Sequence, residues 1–131
     1  MKFLTVLAFL LTSGLVQATE VAGKIFYQMP DGTTVTRQVT LDVPARRQGE
    51  VVLRGEGMEW RTTRFRSYEL AGKKSFVAVF NTEHDGQAHL VTFSGTYYKA
   101  SDKILYYGDM FKGTDRRNSR YIGGFFFRYN R

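Results

Sequence analysis

From residue 20 onward, apolar and polar positions alternate in short runs rich in Val, Thr, Tyr and Phe, and most runs close on a Gly-bearing turn. No apolar period of helical spacing is sustained, and the chain has only two prolines. The pattern predicts eight strands, over 20–29, 33–43, 49–55, 58–70, 73–81, 88–100, 103–112 and 120–130. The connections are short, so consecutive strands pair antiparallel as a meander. The expected fold is all-β: an antiparallel eight-stranded meander closed into a small β-barrel, which removes exposed edges. A two-sheet β-sandwich of the same strands is the alternative.

Cross-strand chemistry sets the registers. In Met29-Pro30-Asp31-Gly32-Thr33, proline presets φ and glycine takes the left-handed position, so Tyr27 faces Val35, Ile25 faces Arg37, Gly23 faces Val39 and Val21 faces Leu41. A loop at Glu56-Gly57 sets Arg54 opposite Glu59 and Leu53 opposite Trp60, and one at Ala71-Gly72 sets Glu69 opposite Lys74 and Phe65 opposite Ala78. Opposite charges face each other in both hairpins, which supports these registers. A loop at Ser101-Asp102 pairs Tyr97 with Tyr106, Gly95 with Gly108 and Phe93 with Met110.

These registers contain one conflict. Trp60 shares a face with Leu53, and Phe65 shares a face with Phe76 and Ala78, yet the two aromatics are an odd number of residues apart. Both cannot point inward on a regular strand, so a β-bulge or sharp bend is expected between Arg61 and Arg64. The last strand is expected to zip against the first, with Tyr121, Gly123, Phe125, Phe127 and Tyr129 facing inward.

In shape the meander resembles the calycin group of small β-barrels, the lipocalin-like and avidin-like proteins. Gly23-Lys24-Ile25 stands where lipocalins carry Gly-x-Trp, so no family residue roles are carried over.

The first eighteen residues change the picture. Met1-Lys2 gives a positive start, Phe3 to Leu11 is an apolar run, and Val16-Gln17-Ala18 fits a small-x-small cleavage site. This predicts a signal peptide over 1–18 and a single all-β domain over 19–131, exported to the periplasm or secreted, with no transmembrane segment after cleavage. The domain carries 18 basic and 12 acidic residues, a net charge of +6. Absence of cysteine excludes disulfides, thiolate metal sites and thiol nucleophiles. An exported domain of this size without disulfides depends on its apolar core.

Three features are candidates for function. The first is the barrel interior, where mid-strand Gly23, Gly95, Gly108 and Gly123 leave space for a ligand or, alternatively, allow the sheet to coil. Tyr27, Arg37, Tyr97, Tyr106, Phe125 and Tyr129 would line it. Arg37 there needs an anionic partner, or else sits at the barrel mouth with its head in water. The second is a basic surface formed by Arg61, Arg64 and Arg66 with Arg116, Arg117 and Arg120, and a further pair at Arg46-Arg47. Arginine outnumbers lysine 12 to 6 in the domain, which suits bidentate contact with phosphate or carboxylate. No motif for specific nucleic-acid binding is present. The third is the segment 82–89, with Glu83, His84, Asp85 and His89, whose histidine spacing matches no metal-ligand pattern and which also reads as a polar hairpin loop.

No cofactor, metal or catalytic motif is expected. The chain is expected to be a non-enzymatic binding module. Its interior would carry a small apolar or anionic ligand or a lipid. Alternatively, its basic surface docks on an anionic envelope polymer or a protein partner. An enzyme built around Glu83, His84 and Asp85 is a third reading.

Overall fold

The computed structural model describes residues 19–44, 49–84, 86–115 and 117–130. The expected signal segment, Arg46, Arg47, Asp85 and Arg116 lie outside the described residues. Nine strands form one antiparallel sheet: β1 (Thr19–Gln28), β2 (Thr34–Val43), β3 (Val51–Gly55), β4 (Met58–Thr62), β5 (Phe65–Leu70), β6 (Lys73–His84), β7 (Gln87–Lys99), β8 (Lys103–Gly113) and β9 (Ser119–Asn130). Their order is β4-β3-β2-β1-β9-β8-β7-β6-β5. This is a nearly closed β-barrel and not two sheets, so the sandwich alternative does not hold. Every register expected above is present, from Ile25 opposite Arg37 to Gly95 opposite Gly108.

The ninth strand comes from the parity conflict. The run expected to be one strand over 58–70 breaks at Thr63-Arg64 into β4, paired with β3, and β5, paired with β6. Thr62 builds the corner. It is buried; its hydroxyl donates to the Val79 carbonyl at 2.6 Å and accepts from the Arg64 N–H at 2.9 Å. The Val79 N–H in turn donates to the Arg64 carbonyl at 2.9 Å. One bent segment therefore supplies both ends of the strand order and draws them together, and Trp60 meets Phe80 across the seam with ring centroids 6.0 Å apart. Thr62→Val keeps the shape but orphans two backbone groups, so it is expected to cost about 1–3 kcal/mol in urea unfolding, while Thr62→Ser retains most of the stability.

Turn chemistry holds the ends. In the first hairpin, Asp31 Oδ1 accepts from the Thr33 N–H at 2.9 Å and from its hydroxyl at 2.6 Å, which lowers the Asp31 pKa. Asp115 Oδ1 holds the last hairpin by accepting from the Arg117 and Asn118 N–H groups at 2.8 and 2.9 Å. On the outer face Arg54 pairs with Asp42 and, at 3.0 Å, with Glu59, which also receives Arg61 at 3.4 Å. The hydrogen bond from Arg54, then that from Arg61, holds the Glu59 carboxyl below its ordinary range.

The core consists of inward-facing positions from the whole sheet. Phe76, Phe80, Phe93, Phe125 and Phe127, with Ile25, Leu41, Leu53 and Met110, are essentially inaccessible. Phe93 stands between Phe80 and Phe125, at 5.3 and 5.0 Å. One inward assignment is corrected. A register shift between Met110 and Phe111 leaves Met110 opposite Gly123 but Phe111 opposite Tyr121, so one residue of β9 is extra. The face inverts there: Ile122 packs against the core, and Tyr121 is 62% exposed, edge-on to Phe111.

Candidate functional site

The interior does not open around its glycines. A Cβ on Gly95 would lie 2.7 Å from the Gly108 Cα, and one on Gly108 would lie 2.5 Å from the Gly95 Cα. Gly23 and Gly123 are crowded in the same way by the backbones of β9 and β1. These glycines let strands coil against each other, and the space they were expected to leave is taken by backbone and phenyl rings.

The residues expected to line a ligand cavity are distributed accordingly. Phe125 and Tyr106 are buried core members. Tyr27 and Tyr97 are half-buried and pack on the core from its margins. Tyr129 is 37% exposed near the end of β9. Arg37 is exposed, with its guanidinium Nη1 3.6 Å from Met58 Sδ, which matches the barrel-mouth alternative. Of the six, Tyr97 and Tyr106 stack on each other with ring centroids 6.2 Å apart. Burial, then repulsion from Tyr97, raises the Tyr106 pKa. The unfolded chain ionises this tyrosine first, from about pH 10, so folding stability is expected to fall as pH rises beyond that point. Tyr106→Phe should flatten that alkaline decline in thermal unfolding.

The outer face is different. A groove of about 720 Å³ runs across the outside of the sheet, lined by Arg64, Phe65, Arg66, Tyr68, Val77, Val79, Thr92, Phe111 and Ser119. Alternation along the bent run puts Arg64, Arg66 and Tyr68 on one face. The ladder places Arg66 beside Val77, then Val79 beside Thr92 and Thr92 beside Phe111. The Arg66 guanidinium carbon lies 5.8 Å from the Tyr68 ring centroid. Among the described residues neither Arg64 nor Arg66 forms an ion pair. The groove therefore has two unneutralised cations along one edge and an apolar floor beside them.

Only part of the expected basic surface belongs to this site. Arg61 is engaged by Glu59. Arg120 lines a separate pocket of about 240 Å³ with Pro30 and Tyr121. Arg117 is exposed in the last hairpin loop. The floor was not anticipated, although the sequence signals it: Phe76-Val77-Ala78-Val79-Phe80 is apolar without alternation, as expected of a strand covered on both faces.

In the segment 82–89, β6 runs to His84 and β7 begins at Gln87. The segment forms the end of the β6–β7 hairpin, with Thr82 opposite His89 and Glu83 opposite Ala88. That register puts Glu83 and His89 on opposite faces of the sheet. Among the described residues, no three His, Asp or Glu side chains come together as a metal site would require. No family model matches the chain, and no curated protein or solved structure is significantly similar to it.

Proposed function

We propose that this chain is an exported, non-enzymatic binding module that engages an anionic component of the cell envelope on its outer face, through Arg64 and Arg66. Export is the expectation from residues 1–18. The observation that carries the reading is the pair of arginines on one face, without an acidic partner among the described residues, at the edge of the groove. Guanidinium groups without an acidic partner among the described residues can meet phosphate, sulfate or carboxylate bidentately. The interior carrier reading draws less support from the packing, since Phe76, Phe80, Phe93, Phe125 and Phe127 are all buried in the core.

The test compares local with net charge. On a dextran sulfate column, the Arg64→Gln/Arg66→Gln protein is expected to elute at much lower salt than the wild type. Arg37→Gln/Arg128→Gln loses the same charge elsewhere and should elute close to the wild type. Equal elution of the two double variants would reduce the interaction to net charge and overturn the proposal.

A further inference from the structure

We propose that the anion recognised at this groove is the head of a single-chain amphiphile, an alkyl or acyl tail ending in a phosphate or carboxylate. The inference rests on reading Arg64 and Arg66 as an anion site, and goes further by naming the class of ligand. Its basis is the one-sided distribution of charge. Both cations of the groove lie on the β5 edge, and every other lining residue, from Tyr68 to Phe111 and Ser119, is uncharged. A repeating polyanion would need cations spaced along its path. A molecule with one charged end needs them at one end only.

The floor fits the remainder of such a molecule. Val77 and Val79 lie beside the arginine edge, and Phe111 closes the far side with Tyr121 edge-on at 6.1 Å. Val79 is already buried, but a hydrophilic anion would leave the half-buried Val77 and Phe111 in contact with water, whereas an alkyl chain covers them. From β5 to β8 is three strand spacings, about 14 Å, the reach of a medium-length chain. Thr92 and Ser119 add hydroxyls at the margin without adding charge.

The test uses the full exported protein and dodecyl phosphate held below its micelle-forming concentration, with inorganic phosphate and dodecanol as separate arms. Dodecyl phosphate is expected to bind at least about tenfold more tightly than inorganic phosphate, because the buried methylenes add to the ionic contact. The methyl resonances of Val77 and Val79 should shift with it, and Arg64→Gln/Arg66→Gln should weaken it by a similar factor. Val77→Thr keeps a β-branched shape. It should weaken dodecyl phosphate several-fold while leaving elution from dextran sulfate unchanged. Equal affinity for dodecyl phosphate and inorganic phosphate would overturn the inference, as would dodecanol binding as tightly as dodecyl phosphate. If retention on dextran sulfate still depends on Arg64 and Arg66 in that event, the anion site stands and only the ligand class fails. If the double arginine variant changes neither measurement, both fail.

Discussion

Phe93→Ala is expected to cost the barrel about 3–5 kcal/mol, the largest effect of any single truncation considered for this chain. Phe93 has no solvent exposure, and its ring bridges Phe80 on β6 and Phe125 on β9. It therefore joins the half of the sheet near the bent seam to the half near the first and last strands. Truncation removes the ring's own transfer energy and leaves a void between two phenyl groups that are themselves held on rigid strands, so collapse can fill little of it. The check is urea unfolding followed by Trp60 fluorescence, since Trp60 packs on Phe80. A midpoint shift equivalent to less than about 1 kcal/mol would mean that the core repacks freely. Phe93→Leu should recover a large part of the loss.

Gly95→Ala is the second large effect, and it acts through the backbone. The added methyl would meet the β8 backbone at the Gly108 Cα and the Tyr107 carbonyl, and neither can move as a side chain can. Strands β7 and β8 would have to separate locally, at about 3 kcal/mol or more. The same substitution at exposed Ala71-Gly72 would test only turn preference, because nothing lies near Gly72. Because Gly95 and Gly108 face each other, the double alanine variant should differ from the sum of the single ones. Thermal unfolding of the three variants measures this. Near-neutral singles would show that the coiling of β7 on β8 is not fixed by these glycines.

The two effects mark what the sequence carries plainly. Hairpin registers were legible because each turn names its own geometry, and because Arg54–Glu59 and Glu69–Lys74 set opposite charges face to face. The corner at Thr63-Arg64 was legible as an inconsistency: Trp60 and Phe65 cannot both face inward on one regular strand. What failed was parity carried past an irregularity. Counting inward positions back from Phe125 puts Tyr121 inside, but the extra residue of β9 opposite Met110 and Phe111 reverses the face. The signals at that spot are apolar Ile122 beside Tyr121 and the Gly123-Gly124 pair that follows it, since glycine within a strand often marks a bulge.

The candidate site divides along the same line. Its arginines were legible as a cluster in sequence, but three of the arginines described with them act elsewhere: Arg61 in the network with Glu59, Arg117 in a hairpin loop and Arg120 in a separate pocket. The floor was within reach of the registers, since Phe93 opposite Met110 implies Thr92 opposite Phe111. The inward face of Phe65, Phe76 and Ala78 likewise leaves Val77 and Val79 on the outer side. Val77 and Val79 show that an apolar residue on a strand can serve the outer surface.

The barrel closes at two places, and they differ in how far apart in the chain their partners lie. At the bent corner, Thr62 reaches Val79, and the chain needs only one hairpin between them. At the other, β1 lies against β9, with Ala22 opposite Arg128 and Tyr27 opposite Gly123, so nearly the whole domain separates the partners. Loop-closure entropy makes the second contact the slow one, since it forms only after the intervening strands have shortened the path. The β3–β6 corner can therefore nucleate early. The edges of β1 and β9 stay open until the last strand arrives, which makes that interval the chain's period of exposure to mispairing with other chains.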